Sequence, residues 1–351
     1  MGIEITGWGK CTPPTVLKNK DLETFLDTSD DWIVTRTGVR ERRISHMTVS
    51  DMGTVAAQHA LASANKNPED IDAVMMATCT PEYSIPSTAS KVQLNIGNKT
   101  AAAFDINSAC TGFVYGLTTA YGLIANKVMK NILLVGSEKV SYFIDWGERD
   151  SAVLFGDGAG AVVIEATDND SKMYASKLSC NPDAGEALML RNFGSDMDIS
   201  NISQAKNPFG IVFNGQEVFK NAVRGMAKSA LEALEEANLT AQDIDLCIPH
   251  QANLRILEAT VKRCGVTMEK VFVNLDKYGN TSAASIPIAL TEALEQKKIK
   301  KNSKILLLAF GGGLTSAAMI IDWGERVESI KHSDACLPPC SKTALELINQ
   351  T

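Results

Sequence analysis

Three side chains in this sequence have the residue types that acyl transfer through a thioester requires. Cys110 lies in the segment SACTGF, His250 ends the segment DLCIPH, and Asn280 opens the segment NTSAAS. A cysteine can carry an acyl group on its sulfur, while histidine and asparagine can donate hydrogen bonds to a developing oxyanion. Together they predict chemistry through an acyl-cysteine intermediate.

Cys110 stands between two apolar stretches of different character. The stretch AAAFDIN before it predicts a strand, and TGFVYGLTTAYGLIA after it predicts a helix that is apolar almost all round and therefore buried. A thiol at the start of a helix lies at the positive end of the helix dipole. We therefore expect a lowered pKa for this thiol, and nearby backbone N–H groups that can bind an oxyanion.

Each of the three residues also has an ordinary structural explanation. A cysteine often fills an apolar core, a histidine at a strand end is often hydrogen-bonded there, and an asparagine before Thr-Ser often caps a helix. Their placement in a repeated chain favours function, because Asn280 falls where Cys110 falls one repeat earlier.

Two long segments, starting at Asn67 and Leu239, follow one pattern. Each begins near Asp-Ile-Asp, leads into a short apolar strand, and continues with a loop, a helix, a second strand (AAAFDIN or KVFVNLD) and a further helix. The runs KNILLVGSE and SKILLLAFGGG come next and are typical of strands buried on both faces. The repeat predicts two similar α/β halves whose sheets pack against a shared central helical layer.

The polar segment TDNDSK, residues 168–172 and their neighbours, interrupts this pattern and marks the boundary between the halves. We divide the chain into an N-terminal half (1–170), a C-terminal half (171–322) and a C-terminal extension (323–351). Residues 18–50 form an insertion within the first half.

Composition excludes several function classes. The net charge is −7 over 351 residues, so there is no overall basic field to hold nucleic acid. No apolar run approaches the roughly 20 residues of a membrane span. Eight cysteines are scattered without the dense spacing of a disulfide framework, which predicts reduced thiols and a cytoplasmic protein.

The chain resembles the β-ketoacyl-acyl-carrier-protein synthase III family of the thiolase superfamily, over about residues 1 to 322. Six motifs carry the resemblance in the family's order: DTSDDWIVTRTGVRERRI, SACTGF, FGDGAGA, PHQANLRI, YGNTSAAS and AFGGG. The resemblance implies a thiolase-like α/β fold, a duplicated five-layer αβαβα arrangement with two mixed sheets around buried central helices.

The resemblance also implies roles for individual residues. Cys110 would take an acyl group from acyl-CoA, and His250 and Asn280 would hold the thioester carbonyl of malonyl-acyl-carrier protein while it loses CO2. The backbone amides of Cys110 and Gly312 would form the oxyanion hole. No cofactor or metal is expected, since acyl-CoA is a substrate.

The family's coenzyme A contacts transfer onto matching positions. Trp32 and Arg149 would sandwich the adenine ring, and Arg36 would meet phosphate, as stacking and bidentate pairing suit these side chains. Thr28 would hydrogen-bond the adenine edge, and Asn253 would approach the pantetheine arm. For Arg40, Arg42 and Arg43, on the other hand, we expect a solvated charged loop.

Carrier proteins are acidic, so the tunnel mouth of an acidic enzyme should present a local positive patch. The candidates for this docking patch are Lys220, Arg224, Arg255, Lys262 and Arg263.

Ile85 stands where family members restricted to acetyl-CoA commonly carry Phe, at the point where the partner subunit of the family's homodimer caps the acyl pocket. The smaller side chain predicts primers longer than acetyl.

Several alternatives stay open at this point. Cys-His-Asn also describes thiol hydrolases, polyketide synthases share the triad, and a silent binding protein could retain the fold. The product could belong to fatty-acid initiation or to a polyketide, quinolone or resorcinol pathway.

In the extension, His332, Cys336 and Cys340 have a spacing that could suggest a metal. Pro338 and Pro339 interrupt a helix there, and we expect no metal.

Overall fold

The computed structural model describes residues 2–191, 194–195 and 210–349. The α-helices within these ranges are α1 (Asn19–Leu22), α2 (Asp30–Thr37), α3 (Val49–Ala64), α4 (Thr88–Ile96), α5 (Gly112–Ala125), α6 (Arg149–Ala152), α7 (Gly215–Ala237), α8 (Leu254–Cys264), α9 (Leu275–Tyr278), α10 (Ser285–Glu295) and α11 (Ala344–Ile348). The strands are β1 (Gly2–Cys11), β2 (Val16–Lys18), β3 (Glu41–Arg43), β4 (Ala73–Ala77), β5 (Ala102–Ile106), β6 (Asn131–Lys139), β7 (Asp157–Thr167), β8 (Met173–Cys180), β9 (Leu188–Leu190), β10 (Ile211–Phe213), β11 (Leu246–Pro249), β12 (Lys304–Gly311) and β13 (Thr315–Asp322).

Two mixed sheets form the body of the protein. The first has the strand order β1-β7-β6-β4-β5, with β4 parallel to its neighbours β6 and β5 and with β7 antiparallel to β6 and β1. The second has the order β8-β13-β12-β11, in which β11 is parallel to β12 and the remaining pairs are antiparallel. The second sheet repeats the first four positions of the first.

Helices cover both sheets and also separate them. Helices α3 and α4 pack on the first sheet and α7 packs on the second, while α5 and α10 each contact strands of both sheets. Every side chain of α10 from Ser285 to Leu294 is buried. The predicted five-layer α/β arrangement around buried central helices is therefore confirmed.

The predicted strand in KVFVNLD is absent. Only an isolated bridge joins Val271 to Cys247 of β11. Beyond it, the Gln251 side chain donates to the Phe272 carbonyl and accepts from the Asn274 amide, at 3.1 and 3.0 Å. Beside the bridge the Phe272 amide donates to the Cys247 carbonyl of β11 at 2.9 Å, but beyond it a side chain rather than a strand satisfies the backbone, so the predicted strand does not form.

The two halves also match in a different register from the one predicted. Just before α5 and just before α10, one residue adopts the left-handed conformation, Ala109 with φ 46° and Ser282 with φ 49°. Aligning these two turns pairs Cys110 with Ala283, whereas Asn280 lies two residues before its turn. Cys110 and Asn280 are thus not equivalent positions, and sequence alignment of the repeats misplaced them by three residues.

The insertion holds a hairpin of β2 and β3 that is closed by a buried arginine. Arg42 is fully buried, and its guanidinium donates to the carbonyls of Leu17 (3.2 Å) and Val153 (2.7 Å) and to Asn19 Oδ1 (2.9 Å). Burial lowers the pKa of Arg42 to about 10. The expectation of a solvated loop is therefore wrong for Arg42, although Arg40 is exposed.

The described ranges contain neither a membrane-spanning helix nor a metal-binding cluster. No helix in them is long and apolar enough to cross a membrane. No group of three or more His, Cys, Asp or Glu side chains in them is arranged to hold a metal ion.

Replacing Arg42 should destabilise the fold. Arg42→Ala leaves three buried acceptors without their donor, so we expect the free energy of unfolding to fall by about 3 kcal/mol. Arg40→Ala, two residues away at an exposed site, is the matched control and should change it by less than about 0.5 kcal/mol. Denaturant titration of both variants makes the comparison, and equal stabilities would contradict the assignment.

Candidate active site

Cys110 is held at the junction between β5 and α5. It lies in a short 3-10 helix, Ala109–Thr111, that leads directly into α5. The next residue, Thr111, ties this turn to the second half, since its hydroxyl contacts Thr315 Oγ1 at 2.9 Å and is 2.7 Å from the Ser108 carbonyl oxygen. Cys110 is only 7% exposed, so the thiol is nearly enclosed.

The environment of Cys110 favours the neutral thiol. Burial raises its pKa to about 12, while a hydrogen bond with Ser282 acts in the opposite direction and the carboxylate of Glu138 adds to the increase. The expected lowering by the helix dipole is therefore wrong, because desolvation outweighs it. The resting Cys110 side chain is therefore an uncharged thiol.

His250 follows β11 and is fixed from both sides. Its backbone amide donates to the Leu308 carbonyl at 2.7 Å, and its Nδ1 lies 2.6 Å from Ser285 Oγ at the start of α10. The Gln251 amide also donates to Ser285 Oγ, at 3.4 Å. We assign the proton of this hydrogen bond to the Ser285 hydroxyl, which makes Nδ1 the acceptor and leaves the ring protonated at Nε2.

Burial also decides the charge of this imidazole. His250 is 3% exposed, and burial lowers its pKa to about 3. The ring is thus neutral at physiological pH, and with Nε2 protonated it acts as a hydrogen-bond donor that carries no charge.

Asn280 is clamped by the backbone of the first half. Its amide donates to the Leu154 carbonyl at 2.8 Å, and its carbonyl accepts from Gly156 at 3.0 Å. The preceding Gly279 has φ 62°, and a Cβ there would lie 2.5 Å from the Leu154 oxygen, so only glycine fits. The Asn280 side-chain oxygen accepts from the Ser282 amide at 2.9 Å, which leaves its NH2 group to meet a ligand.

One cavity of about 870 Å3 joins these residues to the predicted coenzyme A contacts. Cys110, His250 and Asn280 all line it. Trp32, Arg36 and Asn253 line it too, and its other walls include the apolar side chains Phe155, Leu188, Phe213, Phe219, Ile256 and Phe310. The structure thus brings the predicted catalytic set and part of the predicted coenzyme A site into one pocket.

A second cavity of about 890 Å3 also reaches Cys110. Gly312 lines it, and a Cβ on the adjacent Gly311 would lie 2.7 Å from the Cys110 nitrogen, which shows how closely this loop approaches the nucleophile's backbone. The wall also contains Cys79, Thr80, Val140, Phe143, Leu190 and Ile211.

Sequence reasoning missed a buried polar network beside this second cavity. Glu138 is fully buried and accepts hydrogen bonds from Thr80 Oγ1 (2.5 Å), the Cys79 amide (3.1 Å) and Ser282 Oγ (3.0 Å). Burial raises the pKa of Glu138. Ser282 and Ser285 both lie in the quoted motif YGNTSAAS, so the motif carried a signal for them, whereas nothing local marked Glu138.

Of the predicted adenine contacts, Trp32 lines this cavity, whereas Arg149 and Thr28 are not among its lining residues. The Arg149 guanidinium stacks directly on the Trp32 ring, 4.5 Å from its centroid, and donates to the Asp27 carbonyl at 3.1 Å. A ring can enter between the two only if the exposed Arg149 side chain swings away. The hydroxyl of Thr28, one residue beyond Asp27, is buried and has no hydrogen-bond partner.

The Asn253 side chain forms hydrogen bonds with two elements. Its side-chain oxygen accepts from the Arg255 amide at the start of α8, and its NH2 group donates to the Arg36 carbonyl at the end of α2. It therefore joins the insertion to the second half while it lines the cavity.

The five basic docking candidates are all exposed. Lys220 and Arg224 lie one turn apart on α7, and Arg255 reaches across from α8 to lie 5.8 Å above the Phe219 ring at the cavity wall. Lys262 and Arg263 occupy the last turn of α8, about 10 Å along the helix from Arg255.

Ile85 does not line either of these cavities. It is 88% exposed, in a loop that also exposes Tyr83, and Leu94 on the neighbouring α4 is exposed as well. Helix α4 packs against β5, which in the described residues is one of the two edge strands of the first sheet.

The comparisons agree with this geometry. Models of 3-oxoacyl-acyl-carrier-protein synthase III match residues 104–182 and, for the C-terminal part, residues 234–323. The crystal structure of such a synthase from Aquifex aeolicus superposes with a TM-score of 0.85 at 44% identity, over 92% of this chain and 100% of that one.

Curated relatives extend the match. β-Ketoacyl-acyl-carrier-protein synthase III 2 of Vibrio cholerae is 50% identical over 99% of this chain and 95% of its own length. The synthase III of Roseiflexus castenholzii is 46% identical over 91% of this chain and 97% of its own. The fold and site define a thiolase-like condensing enzyme of the acyltransferase class. The chain belongs to the β-ketoacyl-acyl-carrier-protein synthase III family, whose enzymes use acyl-CoA as a substrate and need no cofactor.

The state of His250 can be tested by NMR. Because burial lowers its pKa to about 3, we expect its ring nitrogens to show no protonation step between pH 8 and pH 5, with Nε2 protonated throughout. Ser285→Ala should mix the two neutral tautomers, and Ser285→Thr, which keeps the hydroxyl, should preserve one. A proton found on Nδ1 in the unsubstituted protein would contradict the arrangement.

Proposed function

We propose that this protein catalyses the decarboxylative condensation of an acyl-CoA primer with malonyl-acyl-carrier protein, giving a 3-oxoacyl-carrier protein, CoA and CO2. The proposal rests on one observation above all. A single cavity has Cys110, His250 and Asn280 in its walls together with the outer residues Trp32 and Arg36. A long thioester substrate can therefore reach from a surface basic group to a buried thiol.

The first step is acyl transfer to sulfur. The Cys110 sulfur attacks the thioester carbonyl of acyl-CoA, the C–S bond to CoA breaks, and the proton of the Cys110 thiol leaves with the CoA thiolate. The amides of Cys110 and Gly312 stabilise the oxyanion. The raised pKa of Cys110 suits this step, because neither the resting thiol nor the acyl-cysteine places a charge in the buried site.

The second step is decarboxylation of the malonyl group. Nε2–H of His250 and the NH2 group of Asn280 donate to the malonyl thioester carbonyl, and the C–C bond to the carboxylate breaks to release CO2. The electron pair becomes an enolate on the bound thioester. Two neutral donors suit a buried site, since they stabilise the enolate oxygen without protonating the carbon that must attack next.

The third step is condensation. The enolate carbon attacks the acyl-Cys110 carbonyl, the C–S bond breaks, and the Cys110 thiolate takes up a proton to return to the resting state. Loss of CO2 makes the sequence effectively irreversible.

Substrate binding follows the shape of the cavity mouth. Arg149 swings from Trp32 to admit adenine between them, Thr28 offers its unpaired hydroxyl to the adenine edge, and Arg36 meets phosphate. Asn253 lies along the pantetheine arm.

The carrier protein then docks on the basic surface around the mouth. Arg255 is nearest, since it lines the cavity itself, and Lys220, Arg224, Lys262 and Arg263 surround it on α7 and α8. On a chain of net charge −7, this local patch gives an acidic partner one place to bind.

Intact-protein mass spectrometry tests the acyl-enzyme. After incubation with acyl-CoAs of two to twelve carbons, we expect the unsubstituted protein to gain one acyl mass and Cys110→Ala to gain none. His250→Ala should still be acylated but should not release CO2 from malonyl-acyl-carrier protein, because it lacks only the second step's donor. Failure of every acyl-CoA to label the protein would contradict the proposal, and release of free acid without malonyl-carrier protein would favour a hydrolase.

We further propose a homodimer in which Ile85 of one subunit caps the partner's acyl pocket. The support is the position of β5 at an edge of the first sheet in the described residues, the exposed side chains of Tyr83, Ile85 and Leu94, and a cavity at Cys110 that Tyr83 lines. A branched aliphatic cap leaves a longer pocket than an aromatic one, so the preferred primer is longer than acetyl.

The eight unpaired cysteines and the CoA thioester substrate favour a cytoplasmic location for this protein.

Primer choice should follow residue 85. We expect butyryl- to octanoyl-CoA to exceed acetyl-CoA in kcat/KM, and Ile85→Phe to reverse this order because the ring shortens the pocket. Val128→Phe, at another exposed site, is the control and should leave the order unchanged. A preference for acetyl-CoA in the unsubstituted enzyme, or a monomer in sedimentation, would contradict the proposal.

A further inference from the structure

The C-terminal strap, residues 324–349, follows a defined path over the N-terminal half. It leaves the second sheet at Trp323, whose indole donates to the Arg326 carbonyl at 2.6 Å. Arg326 then donates to the carbonyls of Thr6 (3.1 Å) and Ala64 (3.2 Å). The strap is thus fastened at its start to β1 and to the end of α3.

From there the strap runs along α3 in the opposite direction. The Ile330 amide donates to the Ser63 carbonyl at 3.0 Å, and Ser329 and Ser63 hydroxyls lie 3.1 Å apart. Further along, His59 Nε2 lies 3.0 Å from the Ala335 carbonyl oxygen. His46, just before α3, is 2.9 Å from the Pro338 carbonyl oxygen. Contacts spaced over the whole length indicate a docked segment.

The strap ends in α11, which packs into the insertion. Thr343 caps this helix together with Glu346, and Ala344, Leu347 and Ile348 are buried. These three side chains belong to one apolar cluster with residues of β2, α1 and α2, among them Leu17, Leu22, Ile33 and, at its edge, Trp32.

That cluster supports the nucleotide end of the proposed coenzyme A site. Ile33 of α2 is fully buried in this cluster. It directly follows the site residue Trp32, and Arg36 lies three residues further along the same helix. Helix α11 contacts β2 directly, and it shares with α2 the apolar side chains of this cluster. On the other side, α2 is held by the hydrogen bond from Asn253.

The C-terminal strap lies beyond the residues that the family model matches. The family model of the C-terminal half stops at residue 323, and the match to the Roseiflexus synthase covers 91% of this chain. The matches to the synthases III 2 of Vibrio cholerae and Vibrio vulnificus cover 99% and 98% of it.

We propose that the C-terminal strap is a positioning element for coenzyme A: α11 fills the cluster beneath α2 and holds Trp32 and Arg36 in place for the nucleotide. This inference rests on the proposed function. It assigns no contact between the strap and the reacting atoms. The strap therefore acts on binding of the CoA nucleotide and not on acyl transfer.

The test separates the nucleotide from the reacting thioester. Leu347→Asp places a charge in the cluster, while Asn349→Asp adds the same charge at an exposed position two residues on and serves as the control. A chain that ends at Lys342 removes α11 without burying a charge. Each variant is assayed for acylation of Cys110 by an acyl-CoA and by the same acyl group on N-acetylcysteamine, which has no nucleotide.

We expect Leu347→Asp and the shortened chain to raise KM for acyl-CoA by at least about fivefold with kcat within about twofold. Their rates with the N-acetylcysteamine thioester should stay within about twofold of the unsubstituted enzyme, as should all rates of Asn349→Asp. An unchanged KM, or equal losses with both substrates, would overturn the inference. Failure of the unsubstituted enzyme to be acylated would instead overturn the proposed function.

Discussion

The site depends on two helices that are buried between two sheets and that begin at nearly the same point. Helices α5 and α10 each contact both sheets, the turn before α5 carries Cys110, and the turn and first residue of α10 carry Ser282 and Ser285. Cys110 and His250 are buried at this point, although two cavities reach Cys110. This burial determines the protonation states of both side chains.

Burial determines the protonation states of the site residues as well as the shape of the cavity. Burial raises the pKa of Cys110 to about 12 and lowers that of His250 to about 3, so both groups are neutral at physiological pH. A neutral thiol and two neutral donors are compatible with the proposed decarboxylation, in which the carbanion equivalent must not be protonated. The charges proposed to bind substrate lie on the exposed side chains of Arg36, Arg149 and Arg255, where solvent can compensate them.

The periphery is built by additions to this core. Arg42 closes the insertion hairpin onto α6, Asn253 connects the insertion to the second half, and the strap packs α11 beneath it. All three fasten the segment that carries the proposed nucleotide contacts.

The sequence by itself predicted the buried strands, because a continuous apolar run such as ILLV at 132–135 is typical of a strand that is buried on both faces of its sheet. The sequence also identified the family and the candidate site residues, since six motifs occur in the order typical of that family. Only the tertiary structure decided which backbone is paired by a side chain, as at Gln251, and whether an arginine is solvated, as at Arg42. It likewise decided the protonation of Cys110 and His250, because desolvation comes from residues distant in the chain.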